Sequence, residues 1–369
     1  MDTNTFEKLQ KNTDTPCVSI IIPTHKTSPE RAVDRIELKK ILDKTEKFIQ
    51  DKFKQNGSAS LIDQLRAMSG TIDYVHNDKG IGLFASGNVS EVVKFPYEVK
   101  EKISVGEAFE LKDLLYLEQL LIPYYVLQIN GKKVKLFSGQ GEKLKEVKNK
   151  DFPFHIYDDH EYSRAALGSS HGYSLKSTEK DKSIGKEKRF MALLKQADHK
   201  LSEFSANDTP FVLCGNPKDL GYFLKVYSNH LNIAGKITSD LVHENPDVIA
   251  RLSYKKIKYY LGREQRKLVK KVTEAVGSKS AVSGIREVWK AAKEGRGLML
   301  LVEKDFCQKG FIKKDSPELF LRPPFEKHEV LSDVSEAIIR EVLSKKGKVK
   351  ILDSGKLEEF DKIALLLRY

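Results

Sequence analysis

The amino-acid sequence predicts an α/β protein built from three α/β domains, and three observations carry that expectation. Apolar runs of strand length recur along the chain, from "CVSIIIPT" (17–24) through "TPFVLCG" (209–215) to the closing "KIALLLRY". They alternate with longer segments whose apolar residues repeat at helical spacing, the pattern of helices packed on sheets. At 369 residues and 40% hydrophobic content, the chain is long enough to bury two or three separate cores. The expected domains are 1–122, 123–241 and 242–369.

In the first domain, Cys17–Thr24 is a buried strand stopped by Pro23. The segment from Ser28 to Phe53 is a helix, with Ser28 as cap, Pro29 in the first turn, and Ile36, Ile41, Phe48 and Ile49 as the apolar positions. "GIGLFASGNVSEVVKFPYE" gives two strands around a Ser86-Gly87-Asn88 turn; no helix follows Gly80, Gly82 and Gly87, so a hairpin is favoured over a phosphate loop. "FELKDLLYLEQLLI" is a helix closed by Pro123. In the second domain, Tyr124–Ile129 and Val134–Phe137 flank an Asn130-Gly131 turn. A polar basic loop over 167–183 follows, and then a helix over about 185–204 with Phe190, Leu193, Leu194, Ala197 and Leu201 on one face. "TPFVLCG", "GYFLKVY" and "LNIAGKIT" complete a strand–helix–strand unit. In the third domain, a long helix from Pro246 is followed twice by helix then strand, and "KIALLLRY" ends the chain as a strand.

Lysine and arginine number 64 against 52 aspartates and glutamates, a net charge of +12. The surplus is clustered, which favours a polyanionic partner over a merely well-solvated surface. Lys176 to Lys195 holds seven basic and three acidic residues, and Lys255 to Lys271 holds eight basic residues interleaved with Tyr259 and Tyr260. Lys186, Lys188 and Arg189 are expected at a helix start, where the macrodipole disfavours cations and a nearby phosphate would offset the cost. Tyr254, Tyr259 and Tyr260 read as packing rather than base-stacking rings. Cys17, Cys214 and Cys307 fit neither a disulfide framework nor a zinc spacing and are expected in the core, in a reducing cytoplasm. No signal peptide and no membrane-spanning window of about 18 apolar residues is read.

Other chemistry is disfavoured. "HIYDDHE" (155–161) has metal-ligand types without a metal-site spacing and reads as a turn. Ser169, Ser170 and His171 are too close in sequence to aim at one another, and no nucleophile elbow surrounds them. Trp289 beside Val288 reads as core. No cofactor or metal is expected.

The order of "VSIIIPTHK", a basic helix, "GIGLFASG", "YYVLQINGKKVKLFSG", a protruding loop, a basic helix, "FVLCG" and a closing α/β module ending "GKVKILDSGKLEEFDKIALLLRY" resembles the class-1 archaeo-eukaryotic release factors and Pelota. It resembles their bacterial relatives, the bacterial archaeo-eukaryotic release factor families, more closely. The resemblance implies a release factor/Pelota-like three-domain arrangement. The N-terminal domain would face the ribosomal decoding centre, and the loop of the middle domain would face the peptidyl-transferase centre. The C-terminal α/β sandwich domain would engage partner factors.

The sequence departs from the family's active motifs. The loop reads Gly168-Ser169-Ser170-His171-Gly172 where release factors hold Gly-Gly-Gln. The nearest glutamine, Gln140, belongs to the preceding hairpin. The family's Asn-Ile-Lys-Ser element would fall near Arg35-Ile36-Glu37-Leu38, and its tyrosine–cysteine–phenylalanine element around Ile103, Val105 and Phe109, where only the phenylalanine matches. Stop-codon reading and peptide release are therefore not expected, and the chain is expected to be a non-enzyme. The resemblance implies a monomeric, cytoplasmic ribosome-hibernation factor of the stress response. Lys39, Lys40, Lys176, Lys180, Lys182, Lys186, Lys188 and Arg189 would contact ribosomal RNA in the A site. A translational GTPase such as elongation factor Tu is a candidate partner. The alternative is a peptidyl-tRNA-hydrolysing release or rescue factor that uses His171 or Ser170. A ribosome-independent RNA nuclease is disfavoured by the lack of an acid–base or metal constellation.

Overall fold

Seven consecutive residues from Cys17 to Pro23 form β1, and all but the last are buried. A strand so apolar needs neighbours on both edges and cover on both faces. In the computed structural model, which describes residues 3–25, 30–52, 58–74, 78–131, 133–155, 175–205, 208–228, 230–238, 245–313 and 318–369, β1 has them. It pairs antiparallel with β2 (Gly80–Ala85) on one side and β4 (Lys102–Gly106) on the other, and β2 pairs with β3 (Ser90–Phe95). The expected turn closes the β2–β3 hairpin, with Ser86 N–H donating to the Val89 carbonyl at 2.8 Å. α1 (Thr3–Lys11) precedes this sheet, and α2 (Glu30–Lys52) and α3 (Ser58–Gly70) cover one face. Leu38, Ile41 and Ile49 of α2 and Leu61, Leu65 and Met68 of α3 pack on Val18, Ile20, Ile22 and Leu83. The buried face of α2 therefore differs from the expected one in two positions. Ile36 and Phe48 are 56% and 46% exposed, while Asp34 and Thr45 are buried. Each polar side chain turned inward has a partner: Thr45 donates to the Ile41 carbonyl at 2.8 Å and Asp34 pairs with His25.

The chain divides into two compact units, one of residues 1–119 with 265–369 and one of residues 120–264. The first and last sheets thus share a unit. In its last segment, β11 (Ala281–Ser283), β12 (Gly297–Glu303), β16 (Lys348–Leu352) and β17 (Ile363–Leu367) form a mixed sheet ordered β11-β17-β12-β16. β12 and β16 run parallel, as the repeated helix–strand order implies. The two helices of that repeat are α8 (Ile285–Lys293) and α9 (Val334–Ser344). Trp289 of α8 is buried, as expected. A three-stranded sheet, β14 (Leu319–Phe320), β13 (Gly310–Lys313) and β15 (His328–Leu331), completes the segment.

A buried polar cluster joins the two segments of this unit. Lys112 opens α4 (Lys112–Leu120) and is buried, and its ammonium donates to Asp333 Oδ2 at 2.8 Å and Ser335 Oγ at 2.9 Å. The buried Glu336 carboxylate accepts from the backbone N–H groups of Leu111 (3.0 Å) and Lys112 (3.2 Å), at the helix end where an anion is favoured. Lys102 lies 3.3–3.7 Å from Asp113, Glu336 and Glu110. Burial opposes its charge, but Glu336, Asp113, Glu110 and Asp333 outweigh burial and hold its pKa above the ordinary lysine value. Tyr116 and Gln119 extend the seam to Asp353 and to the Ile351 N–H.

The second unit is a layered α/β sandwich. Its sheet runs β10-β9-β5-β6-β7, with β10 (Asn232–Thr238), β9 (Pro210–Gly215) and β5 (Pro123–Asn130) mutually parallel. β6 (Lys133–Gln140) and β7 (Lys143–Glu146) add antiparallel strands, and β8 (Phe154–His155) pairs with β6. Alternate residues face opposite ways. Leu127, Ile129, Leu136, Phe211 and Leu213 meet α5 (Leu175–Leu201) and α6 (Pro217–Val226) on one face. Tyr124, Val126, Val212 and Cys214 meet α7 (Pro246–Gly277) on the other. Cys17 and Cys214 are buried as expected. Cys307 is exposed, because it sits in a connection between strands rather than in a sheet.

Candidate nucleic-acid interface

The residues expected to contact RNA fall on two helices. On α5, Phe190, Leu194, Ala197 and Leu201 recur at i, i+4, i+7 and i+11, and all are buried against the sheet. That fixes the helix roll and leaves Lys188 and Arg189 exposed. The adjacent acid does not neutralise them. Glu187 instead accepts from the Tyr222 hydroxyl at 2.5 Å and pairs with Lys218 of α6 at 3.3 Å. Those two contacts, the tyrosine first, hold its carboxyl below the ordinary glutamate range. Asp198 of α5 is likewise committed inward, accepting from the Ser228 N–H and hydroxyl with His230 close by. Glu187 and Asp198 are thus tied down by neighbours, while Lys188, Arg189 and Lys195 are exposed to solvent.

The helix begins at Leu175 rather than near Gly185, so residues 175–183 are helical where a loop was expected. The stretch has little to bury, yet lysine and glutamate are good intrinsic helix formers. Lys186, Lys188 and Arg189 consequently stand turns away from the helix N-terminus, beyond reach of its dipole, and the macrodipole penalty expected for them does not apply. Lys176, Lys180, Lys182 and Lys186 are on α5, but their side chains lie outside the described residues. Gly168, Ser169, Ser170, His171 and Gly172 lie outside the described residues, as does all of "HIYDDHE" apart from the His155 backbone in β8. Gln140 ends β6 and donates to the Leu121 carbonyl at 3.0 Å.

Lys39 and Lys40 are exposed on α2, in the other unit. Lys39 lines a cavity of about 360 Å³ between α2 and α3. Leu38 and Leu42 contribute its apolar wall, Arg35, Arg66 and Tyr74 line it further, and Asp43 is its one acid. Arg66 is engaged by Glu46 at 2.6 Å, whereas Arg35 and Lys39 make no ion pair among the described residues. Burial raises the Tyr74 phenol pKa; the Arg35 charge opposes the rise and Asp34 adds to it. Beside this region Asp34, fully buried, accepts from the His25 backbone N–H at 2.8 Å and lies 2.7 Å from His25 Nδ1. Arg66 and Tyr74 were not singled out in the sequence, because their spacing from Lys39 in the chain gives no sign that they share a cleft. Of the positions aligned with codon-reading elements, Phe109 is core, edge-on to Phe84 at 6.0 Å, Val105 is buried, and Ile103 is exposed.

Among the described residues no group of three or more histidines, cysteines and acids has the geometry to hold a metal ion, and no helix is long and apolar enough to cross a membrane.

Residues 123–296 match the model of bacterial archaeo-eukaryotic release factor family 3. No curated protein matches the chain. Among solved structures, an archaeal translation termination factor, aRF1, is similar at 14% identity over 99% of this chain and 96% of that one, with a TM-score of 0.25. Archaeoglobus fulgidus Pelota is similar at 15% identity over 78% and 79%, with a TM-score of 0.38. Saccharomyces cerevisiae Dom34, a translation termination-like factor involved in RNA quality control pathways and interacting with Hbs1, is similar at 13% identity over 79% and 74%, with a TM-score of 0.35. At those scores the structural likeness adds no weight to the family match. By that match, the second unit and the start of the segment after it are similar to bacterial archaeo-eukaryotic release factor family 3.

Proposed function

We propose that this protein binds the ribosome and occupies the A site as a hibernation factor, acting by exclusion rather than catalysis. One observation carries the reading: the region matching the release-factor family contains Gly168-Ser169-Ser170-His171-Gly172 where Gly-Gly-Gln would stand. Two glycines give a release loop its backbone freedom, and the glutamine amide supplies donors near the peptidyl ester. A chain lacking both keeps the body of a release factor without its chemistry. The exposed cations Lys188 and Arg189, unneutralised by the acids beside them, support a phosphate-rich partner. Lys39 and Lys40 offer the same chemistry on the other unit. Such contacts add, weaken with salt and need no sequence reading.

The test is cosedimentation with 70S ribosomes. Wild type pellets with ribosomes at low salt, and reversal of Lys186, Lys188 and Arg189 to glutamate weakens association at least tenfold at moderate salt. Equal sedimentation of the triple variant would remove the second unit from the interface. A peptidyl-tRNA release assay addresses the enzyme alternative. The expected result is no turnover; turnover abolished by His171→Ala would replace exclusion with catalysis. A pull-down with elongation factor Tu in its GTP form tests delivery by a GTPase.

A further inference from the structure

α7 presents two faces of opposite character within the second unit. Ile249, Ala250, Tyr254 and Ile257 are buried against the sheet. On the opposite side Arg251, Lys255 and Tyr259 follow at i, i+4 and i+8, with Lys258 beside them, and all four are exposed. Tyr260 packs partly into the core, but Tyr259 is 63% exposed, so the expectation that these rings pack holds for Tyr254 and Tyr260 and fails for Tyr259. The Arg263 guanidinium carbon lies 6.0 Å from the Tyr259 ring centroid, and the Lys258 ammonium lies 4.6 Å from that of Tyr254.

The charge on this face is not balanced. From Arg251 to Lys271 the sequence holds one acid, Glu264. Arg251, Lys255 and Lys258 make no ion pair among the described residues. A helix face that serves solubility alone interleaves signs at i, i+4, as Lys270 and Glu274 do further along. Like charges at that spacing oppose the helix, and only a polyanion turns them to advantage. An exposed aromatic ring set among the cations adds a second feature, because its solvent-facing surface can also take a stacked base. Phosphates spaced along a strand of unpaired bases meet both needs. A folded acidic protein would call on the cations and gain nothing from the exposed ring beside them.

We propose that this face of α7 binds single-stranded RNA, with phosphates on Arg251, Lys255 and Lys258 and one base stacked on Tyr259. With the cations on phosphates and the ring on a base face, binding is expected to be tolerant of sequence. The inference rests on RNA being the partner, as under the proposed function, but assigns it a different surface.

The experiment uses the full-length protein and a fluorescent twelve-nucleotide oligouridylate, read by anisotropy across a salt series. The variants are the triple reversal R251E/K255E/K258E, Tyr259→Ala and Tyr259→Phe. A control triple, K279E/K346E/K348E, makes the same change in net charge elsewhere, and circular dichroism confirms that each variant is folded. The triple reversal is expected to weaken binding more than tenfold beyond the control and to flatten the log–log salt slope by about two. Tyr259→Ala should weaken it about tenfold while Tyr259→Phe stays near wild type, since stacking needs the ring and not the hydroxyl. Equal loss in the control triple, or no effect of Tyr259→Ala, would overturn the assignment. So would tighter binding of a poly-glutamate peptide than of the oligouridylate with the same variant sensitivity, which would mark a protein-docking face. Cosedimentation of the same proteins with 70S ribosomes keeps the two readings apart. Wild type that pellets with ribosomes while the α7 variants bind RNA unchanged overturns this inference alone. Wild type that binds RNA through α7 and ignores ribosomes overturns the hibernation reading and leaves this inference standing.

Discussion

Glu110 shows at the scale of one residue how a fold changes the chemistry of an ordinary side chain. It is 4% exposed and shares its pocket with Glu336, Asp113 and Asp333 against the two ammonium groups of Lys102 and Lys112. Burial and the Glu336 charge drive its carboxyl well above the ordinary value of 4.5, with Lys102 opposing them. A carboxyl raised in this way holds its proton in the folded state after the unfolded chain has lost it. Its contribution to stability is complete below about pH 4.5 and is lost as pH rises from there through the raised value. Substitution Glu110→Gln keeps the volume and removes the titration. In urea unfolding followed by circular dichroism, the variant should match wild type near pH 5, exceed it at pH 8–9, and show a flatter dependence between; a parallel pH profile would show that Glu110 does not titrate there. None of this is visible in "VGEAFELKDL", where Glu110 and Lys112 read as surface residues at the start of a helix. Lys39, Lys40, Lys188 and Arg189, by contrast, were legible as exposed cations, because an unpatterned charge beside an apolar position on a helix has only solvent to face.

Elements were legible wherever their apolar pattern is local. The β2–β3 hairpin, the Asn130-Gly131 turn, α4 ended before Pro123 and the closing β17 all follow from spacing and turn residues within a few positions. The short or polar elements α1, α3, β4 and β7 escaped notice, as did the first turns of α5, because their own residues bury too little to announce them. β9 shows what tight packing demands of a strand's end. A Cβ built on Gly215 would stand 2.5 Å from the Ile129 carbonyl oxygen on the neighbouring strand, and that oxygen belongs to the backbone and does not swing aside. Gly215→Ala is expected to cost about 1–3 kcal/mol of stability through strand displacement. Chemical denaturation measures it, and a variant within 0.5 kcal/mol of wild type, about the scatter of neutral substitutions, would show that β5 and β9 part without cost. The same element logic makes α7 the more informative of the basic helices: Tyr254 and Ile257 fix its roll, so the exposure of Tyr259 follows from burial of its neighbours.

At the scale of the whole molecule, residues 1–119 and 265–369 form one unit although more than a hundred residues separate them in sequence. Lys112 with Asp333, the Leu111 and Lys112 N–H groups with Glu336, and Tyr116 with Asp353 are among the contacts across that separation. A chain ended at residue 264 would lose Phe306, Asp333 and Ser335, the acceptors of the Lys112 ammonium, together with the Glu336 carboxylate at the start of α4. Limited proteolysis of that truncated chain should degrade residues 1–119 while 120–264 survive as a protected core; equal protection of both would show that the first segment folds without the last. By itself the sequence determined the α/β class, the order of strands and helices in the second unit, the surplus of clustered cations, the resemblance to the release-factor families and the absence of Gly-Gly-Gln. Each is written in residue identity or in spacing no wider than a turn or a hairpin. Only the tertiary structure decided that Ile36 and Phe48 face out, that Tyr259 is the exposed ring, that Cys307 is exposed, and that the two ends of the chain close on a buried Lys112. Those outcomes depend on which surface meets which across long stretches of chain, and a lysine destined for a buried carboxylate carries no local mark that sets it apart from one bound for water.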